Sequence, residues 1–187
     1  HAAKNSWCGL VYAFQEESAF RQELTLFVLL TPIALFLPIS YLEKALKGLD
    51  SSTTELIVVG NAQDLPELQL KAHIMGHISS PEKMIQIYQA ADVFVTPSLE
   101  ENLPNTLMEA LACGTPCVGF AIGGIPEMID HQVNGYVAHY LSAEDLSAGL
   151  IWTLENAPEQ AARQKAESTY AEAIIAAKHV NYYTHVG

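Results

Sequence analysis

Two glutamates, Glu101 and Glu109, stand on either side of a predicted helix start. Glu101 lies in the loop before the helix, and Glu109 projects from the helix one turn inside it. A loop of main-chain N–H groups that leads into a helix N-terminus favours bound anions, including phosphate. A carboxylate one turn inside such a helix can accept hydrogen bonds from sugar hydroxyls. These residue types therefore suit a ligand that carries both phosphate and sugar.

The helix that carries Glu109 has recognisable limits in the sequence. Asn105 or Asn102 can cap its start, and Gly114 follows its last residue, where a left-handed conformation is favoured. Three apolar residues at helical spacing form its predicted buried face: Leu107, Ala110 and Leu111.

Strands alternate with helix-sized segments along most of the chain. The predicted strands are Thr25–Leu30, Glu55–Val59, His73–Ile78, Asp92–Thr96, Cys117–Phe120 and Tyr136–Ala138. The predicted helices between and after them include Tyr41–Leu49, Pro81–Ala91, a helix capped by Ser142 that runs to about Glu155, and most of Pro158–His179. This alternation predicts an α/β fold with a parallel sheet and helices on both faces. Ligands of such sheets bind beyond the carboxyl ends of the strands.

The two glutamates belong to a longer pattern that resembles a known family. They form an E-x7-E pair within PS-x-x-E-N-L-P-N-x-x-x-E-A-x-A-C-G-T-P, which Gly123–Gly124–Ile125–Pro126–Glu127 follows. The pattern resembles the retaining glycosyltransferases of the GT-B fold (family 4), whose members have two Rossmann-like halves. The resemblance covers about 41–183, and it implies the C-terminal, donor-binding half alone.

The resemblance also implies roles for particular residues. Glu109 would hold the ribose hydroxyls of a nucleotide, and Glu101 would be the catalytic carboxylate near the transferred sugar. The residues expected to line the donor are Asn102, Leu103, Pro104, Asn105, Thr106, Gly60, Ile78, Gly123 and Gly124. The plainer alternatives are a solvated helix glutamate at 109, a surface loop carboxylate at 101, and glycines that serve only as turn residues.

The stretch before Tyr41 departs from the family pattern. Residues 1–23 form a poorly defined N-terminal segment, and 24–187 form the expected nucleotide-sugar-binding domain. Relatives have a basic, glycine-containing loop whose cation meets the donor diphosphate, whereas this chain has TPIALFLP. A buried first strand at Thr25–Leu30 is the simplest interpretation of the apolar run Leu24–Ile39. We hypothesise that the region has diverged or been scrambled, for example by a reading-frame error.

Composition limits the classes of function. The formal net charge of -12 argues against nucleic acid and anionic membrane surfaces as partners. A peripheral membrane contact stays open, although no residue pattern indicates one. The three cysteines, Cys8, Cys113 and Cys117, form no C-x-x-C pair, which favours reduced thiols and a cytoplasmic setting. No D-x-D or H-E-x-x-H motif occurs, so we expect neither a metal nor another cofactor.

Two functions from different classes fit these observations. The first is the donor-binding domain of a retaining glycosyltransferase that moves a sugar from a nucleotide diphosphate-sugar to a hydroxyl acceptor, in bacterial polysaccharide synthesis. Because the acceptor-binding half is absent, the missing half or another chain would be its partner, and this chain alone would be inactive. The second is a non-catalytic nucleotide- or protein-binding module that keeps the fold. A metabolic Rossmann enzyme is disfavoured because no G-x-G-x-x-G follows a strand.

Overall fold

The computed structural model describes residues 40–60 and 68–177. The chain divides into two units between Pro38 and Ile39, and every described residue belongs to the second unit. The predicted strand Thr25–Leu30 and the predicted boundary between residues 23 and 24 lie outside the described residues.

The described part alternates strands and helices, as the sequence predicts. Its strands are β1 (Glu55–Val59), β2 (Lys71–Gly76), β3 (Phe94–Thr96), β4 (Cys117–Phe120) and β5 (Gly135–Ala138). Its helices are α1 (40–46), α2 (Pro81–Ala90), α3 (Asn105–Cys113), α4 (Ile125–Met128), α5 (Ala143–Asn156), α6 (Glu159–Tyr170) and α7 (172–177).

All pairings between these strands are parallel. β1 pairs with β2, and β4 lies between β3 and β5. Within residues 40–60 and 68–177, β1 and β2 form one parallel sheet, and β3, β4 and β5 form another. The fold class is confirmed: an α/β, Rossmann-like arrangement of parallel strands with helices on both faces.

Strand β4 shows how the two helical layers cover the sheet. All four of its residues are buried, as expected for a parallel strand that is covered on both faces. Cys117 packs in one apolar cluster, which holds Leu107 and Leu111 of α3. Val118 and Phe120 pack in a second cluster, which includes Leu46 of α1 and Leu146 and Leu150 of α5. Alternate side chains of one strand therefore contact opposite layers.

Helix α3 agrees with the sequence on its buried face and its end, but its start differs. Leu107, Ala110 and Leu111 are all fully buried. Gly114 takes the left-handed conformation (φ 91°), and its N–H donates to the carbonyls of Ala110 and Leu111. The predicted cap by Asn105 or Asn102 is wrong, because Pro104 occupies the capping position and no side chain caps the helix. Asn105 is already its first helical residue.

Two further predictions need correction. Strand β2 runs from Lys71 to Gly76, two residues earlier than predicted, and Gly76 ends it with φ 67°. The C-terminal helix is interrupted at Ala171, whose extended backbone (φ -56°, ψ 139°) separates α6 from α7. The buried stripe of α5 runs through Leu146, Leu150 and Thr153, so the neighbouring Leu154 is left 39% exposed.

The two-stranded sheet is covered less completely than the three-stranded one. Several of its large apolar side chains are exposed, namely Ile57, Val59, Ile74 and Met75. Leu56 of β1 packs against the apolar cluster that contains Phe120. Among residues 40–60 and 68–177, no helix has the length and apolar character needed to span a bilayer.

We predict that the buried face of α3 contributes much of the free energy of unfolding. Leu111→Ala should lower the free energy of unfolding by about 2–5 kcal/mol, because it removes a fully buried side chain and leaves a cavity. Leu154→Ala is the matched control and should cost less than about 1 kcal/mol, because this leucine is partly exposed. Urea denaturation measures both. Equal costs would contradict the assignment of Leu111 to the core.

Candidate functional site

The predicted site residues follow the carboxyl ends of parallel strands. Gly60 comes directly after β1, and its N–H donates to the Gly76 carbonyl at the end of β2 (2.8 Å). Ile78 is half-buried in the loop between β2 and α2, two residues beyond the strand end. Gly60 and Ile78 follow the strands of the β1–β2 sheet, whereas the other predicted site residues follow β3 and β4 of the β3–β4–β5 sheet.

The loop between β3 and α3 carries the first glutamate. Glu101 is half-buried, Asn102 and Leu103 are exposed, and Pro104 is buried at the helix start. Within the described part of the chain, the Glu101 carboxylate makes no hydrogen bond. Its charge is therefore free to meet a ligand at this edge.

Gly123 and Gly124 form the surface on which this loop rests. The Gly124 N–H donates to the Asn102 carbonyl (2.5 Å). A Cβ on Gly123 would lie 1.8 Å from the Glu101 carbonyl oxygen, and one on Gly124 would lie 2.5 Å from the Asn102 carbonyl oxygen. The structure therefore brings both glycines against the backbone of the Glu101 loop, where any side chain would collide with it.

The first turn of α3 leaves main-chain donors available. The Pro104 carbonyl accepts the N–H groups of Leu107 (3.2 Å) and Met108 (3.3 Å). The N–H groups of Asn105 and Thr106 have no partner among residues 40–60 and 68–177, and both residues are exposed. Free amides at a helix N-terminus favour an anion there.

Glu109 lies in the middle of α3 and is exposed. One of its carboxylate oxygens, Oε2, accepts a hydrogen bond from the Tyr88 hydroxyl of α2 (3.1 Å). Burial and the nearby Glu109 charge raise the pKa of Tyr88 well above its usual value, so its hydroxyl stays protonated as a donor.

Sequence reasoning missed two tyrosines that contact the site residues. Helical spacing indicates Tyr88 only as a buried residue of its helix. Its partner, Glu109, is distant in the chain. Tyr140, in the loop after β5, donates to the carbonyl of Leu99 (3.2 Å), which lies in the Glu101 loop. Its ring packs edge-on against Phe120 (6.4 Å between centroids). For Tyr88, the available signal was a tyrosine at an apolar position of its helix, because a buried hydroxyl needs a partner. No sequence signal indicates Tyr140, which is 47% exposed.

The remaining reactive groups lie elsewhere in the fold. Burial raises the pKa of the Cys113 and Cys117 thiols, which makes them poor nucleophiles. A cavity of about 330 Å³ opens beside the residues that precede β3 and β4, and its lining includes Asp92, Cys113 and Arg163. None of the predicted site residues lines it. The described residues contain no group of three or more metal-ligating side chains.

Comparison with known proteins identifies the class of this chain. The family model described as "Glycosyl transferases group 1" matches residues 38–156, and the chain belongs to this family. The chain is 35% identical over 92 residues to D-inositol 3-phosphate glycosyltransferase of Corynebacterium aurimucosum, a match of 49% of this chain and 22% of that protein. It is 28% identical over 171 residues to the N,N'-diacetylbacillosaminyl-diphospho-undecaprenol alpha-1,3-N-acetylgalactosaminyltransferase of Campylobacter jejuni, a match of 83% and 45%.

Solved structures support the fold. A glycosyltransferase from Rickettsia africae superposes with a TM-score of 0.65 at 22% identity, over 79% of this chain and 44% of that one. Anabaena Alr3699/HepE, solved in complex with UDP and glucose, superposes with a TM-score of 0.62 at 20% identity, over 78% and 44%. The GT-B-like fold follows from these likenesses. The chain spans less than half the length of each of these relatives.

A second family model matches the N-terminal part of the chain. The model described as "Prokaryotic diacylglycerol kinase" matches residues 4–53, of which the structure describes 40–53. The two matches overlap at 38–53. The stretch that departs from the glycosyltransferase pattern therefore has a likeness of its own, and the reading-frame hypothesis stays a hypothesis.

We predict that Gly123 cannot accept a side chain. Gly123→Ala should lower the free energy of unfolding by at least about 1 kcal/mol more than Gly76→Ala. Both glycines have left-handed backbones (φ 53° and 67°), but no described atom lies within 4 Å of a Cβ on Gly76. The control therefore separates backbone strain from the collision with the Glu101 loop. Equal losses in urea denaturation would show that the loop does not rest on Gly123.

Proposed function

We propose that this chain carries the donor-binding, C-terminal half of a retaining GT-B glycosyltransferase. The reaction would move a sugar from a nucleotide diphosphate-sugar to a hydroxyl acceptor with retention of configuration, in the synthesis of a bacterial polysaccharide. Family membership supports the transferase class. The observation that carries the proposal is the arrangement of Glu101 and Glu109 on either side of the open N-terminus of α3.

The diphosphate, the ribose and the transferred sugar of a nucleotide-sugar each have a matching group in this arrangement. The free amides of Asn105 and Thr106 suit the diphosphate, since main-chain donors at a helix N-terminus stabilise negative charge. The exposed Glu109 carboxylate suits the ribose diol, because it can accept two hydrogen bonds. The unpaired Glu101 carboxylate suits the transferred sugar, where it would orient the sugar or stabilise developing positive charge. Asn102, Leu103, Pro104, Gly60, Ile78, Gly123 and Gly124 complete the proposed lining.

Relatives support a nucleotide as ligand. HepE is recorded with UDP, with UDP and glucose, and with UDP-glucose. We propose that the donor of this chain is also a nucleotide diphosphate-sugar, and that its binding requires no metal or other cofactor. The acceptor would bind to the part of the relatives that this chain does not span, so we propose that the chain is inactive without that part or another polypeptide.

A second candidate function rests on a shortage of positive charge. In the sequence, no lysine or arginine lies between the end of each of the five strands and the start of the next described strand or helix. Departure of a diphosphate needs its charge to be stabilised, and cations commonly contribute. This observation favours a module that binds a nucleotide or a protein without catalysis. An assay of sugar transfer separates the candidates when this chain is combined with the half of a relative that it does not span, and donor and acceptor are both supplied. Turnover excludes the second candidate, whereas donor binding without turnover by the folded combination excludes the first.

We predict that nucleotide binding depends on Glu109. Calorimetric titration of UDP, GDP and ADP should show binding of one nucleotide, and Glu109→Gln should weaken it by roughly tenfold or more (about 1.4 kcal/mol). The amide keeps the size of the side chain but loses the charge that strengthens hydrogen bonds to the diol. Glu167→Gln, an exposed glutamate of α6, is the matched control and should bind like the unaltered chain. Absence of binding by a folded chain would contradict the proposal.

A further inference from the structure

We propose that Tyr88 is a positioning residue for Glu109: its hydroxyl holds the carboxylate in the orientation that receives the ribose hydroxyls of the nucleotide. The inference rests on the proposed function and adds a residue that the E-x7-E pattern does not contain. Tyr88 lies on α2, so the second glutamate of the pair depends on a neighbouring helix for its geometry.

The hydrogen bond from Tyr88 occupies only one of the two carboxylate oxygens of Glu109. The Tyr88 hydroxyl donates to Oε2 at 3.1 Å. Within the described residues, Oε1 has no hydrogen-bond partner, and the residue is exposed. The Tyr88 hydroxyl therefore restrains one carboxylate oxygen, and the other has no partner among the described residues. A flexible glutamate restrained in this way loses less conformational freedom when a ligand binds.

The donor itself is rigidly placed. Tyr88 is only 4% exposed, and its ring packs edge-on against Phe94 with centroids 5.8 Å apart. The Thr115 hydroxyl donates to the Tyr88 carbonyl (2.7 Å), which ties the end of α2 to the turn after α3. A buried aromatic ring that packs against a neighbouring ring, and whose backbone is hydrogen-bonded, holds its hydroxyl in a fixed position.

The same hydrogen bond also satisfies a buried hydroxyl, so a merely structural role must be distinguished from positioning. The two roles differ in what they do to ligand preference. A structural role changes stability and affects all nucleotides alike. A positioning role affects only those nucleotides whose ribose hydroxyls Glu109 would bind.

The experiment compares UDP with 2′,3′-dideoxy-UDP by calorimetry on the whole chain. Tyr88→Phe should weaken UDP binding about three- to tenfold, and the binding of the dideoxy nucleotide should stay unchanged. Glu109→Gln should lower the same preference, and the double variant should bind like Glu109→Gln alone. Tyr136→Phe, which removes a hydroxyl bonded to Asp145 (2.9 Å), is the matched control and should leave the preference intact.

Several results would overturn the inference. If Glu109→Gln weakens UDP while Tyr88→Phe leaves the preference unchanged, the bond is structural and the proposed function survives. Losses that multiply in the double variant would show that the two residues act independently. If Glu109→Gln leaves UDP binding unchanged, the proposed donor site fails and the inference fails with it.

A second variant serves in case Tyr88→Phe does not fold. Glu109→Asp keeps the negative charge but shortens the side chain by one methylene, which withdraws the carboxylate from the Tyr88 hydroxyl. It should lose the preference for UDP over the dideoxy nucleotide as Glu109→Gln does. A preference equal to that of the unaltered chain would contradict positioning by Tyr88.

Discussion

The close backbone contact between the Glu101 loop and the Gly123–Gly124 pair is the constraint on which the candidate site depends. The loop follows β3 and the glycines follow β4, so parallel pairing of these strands brings the two segments to the same edge. The hydrogen bond from the Gly124 N–H to the Asn102 carbonyl then fixes their relative position. Because no Cβ fits between them, the path of the loop before α3 is set by the absence of two side chains.

The contact between the Glu101 loop and the two glycines also fixes the positions of Glu101 and Glu109 relative to each other. Glu101 lies in the loop that the glycines support, and Glu109 lies in helix α3, which follows that loop. Helix α3 is held by its buried leucines on one face of β4, so the orientation of its N-terminus follows from core packing. Tyr140 contacts the same loop through the Leu99 carbonyl, and Tyr88 contacts Glu109 from α2. The site is thus supported by four segments, although its most recognisable residues lie in one.

Local patterns explain which features could be predicted from the sequence. Strands β1 and β4 were predicted with correct limits because each is a short apolar run bounded by turn residues. The buried face of α3 and its Gly114 end follow from helical spacing and from the conformational freedom of glycine. The helix start was predicted wrongly because two asparagines competed, and a proline took the position instead. The Tyr88–Glu109 bond joins residues that lie far apart in the chain, which no local pattern contains.

The central claim is that a nucleotide binds at the carboxyl edge of the strands. Its most direct test is an amide chemical-shift map recorded by NMR while UDP is added. We expect the largest shifts at the amides of Asn105, Thr106 and Gly123, with smaller changes elsewhere. Shifts concentrated instead around Asp92, Cys113 and Arg163, which line the cavity beside the amino ends of β3 and β4, would contradict it. A folded chain with no shifts at saturating UDP would also contradict it.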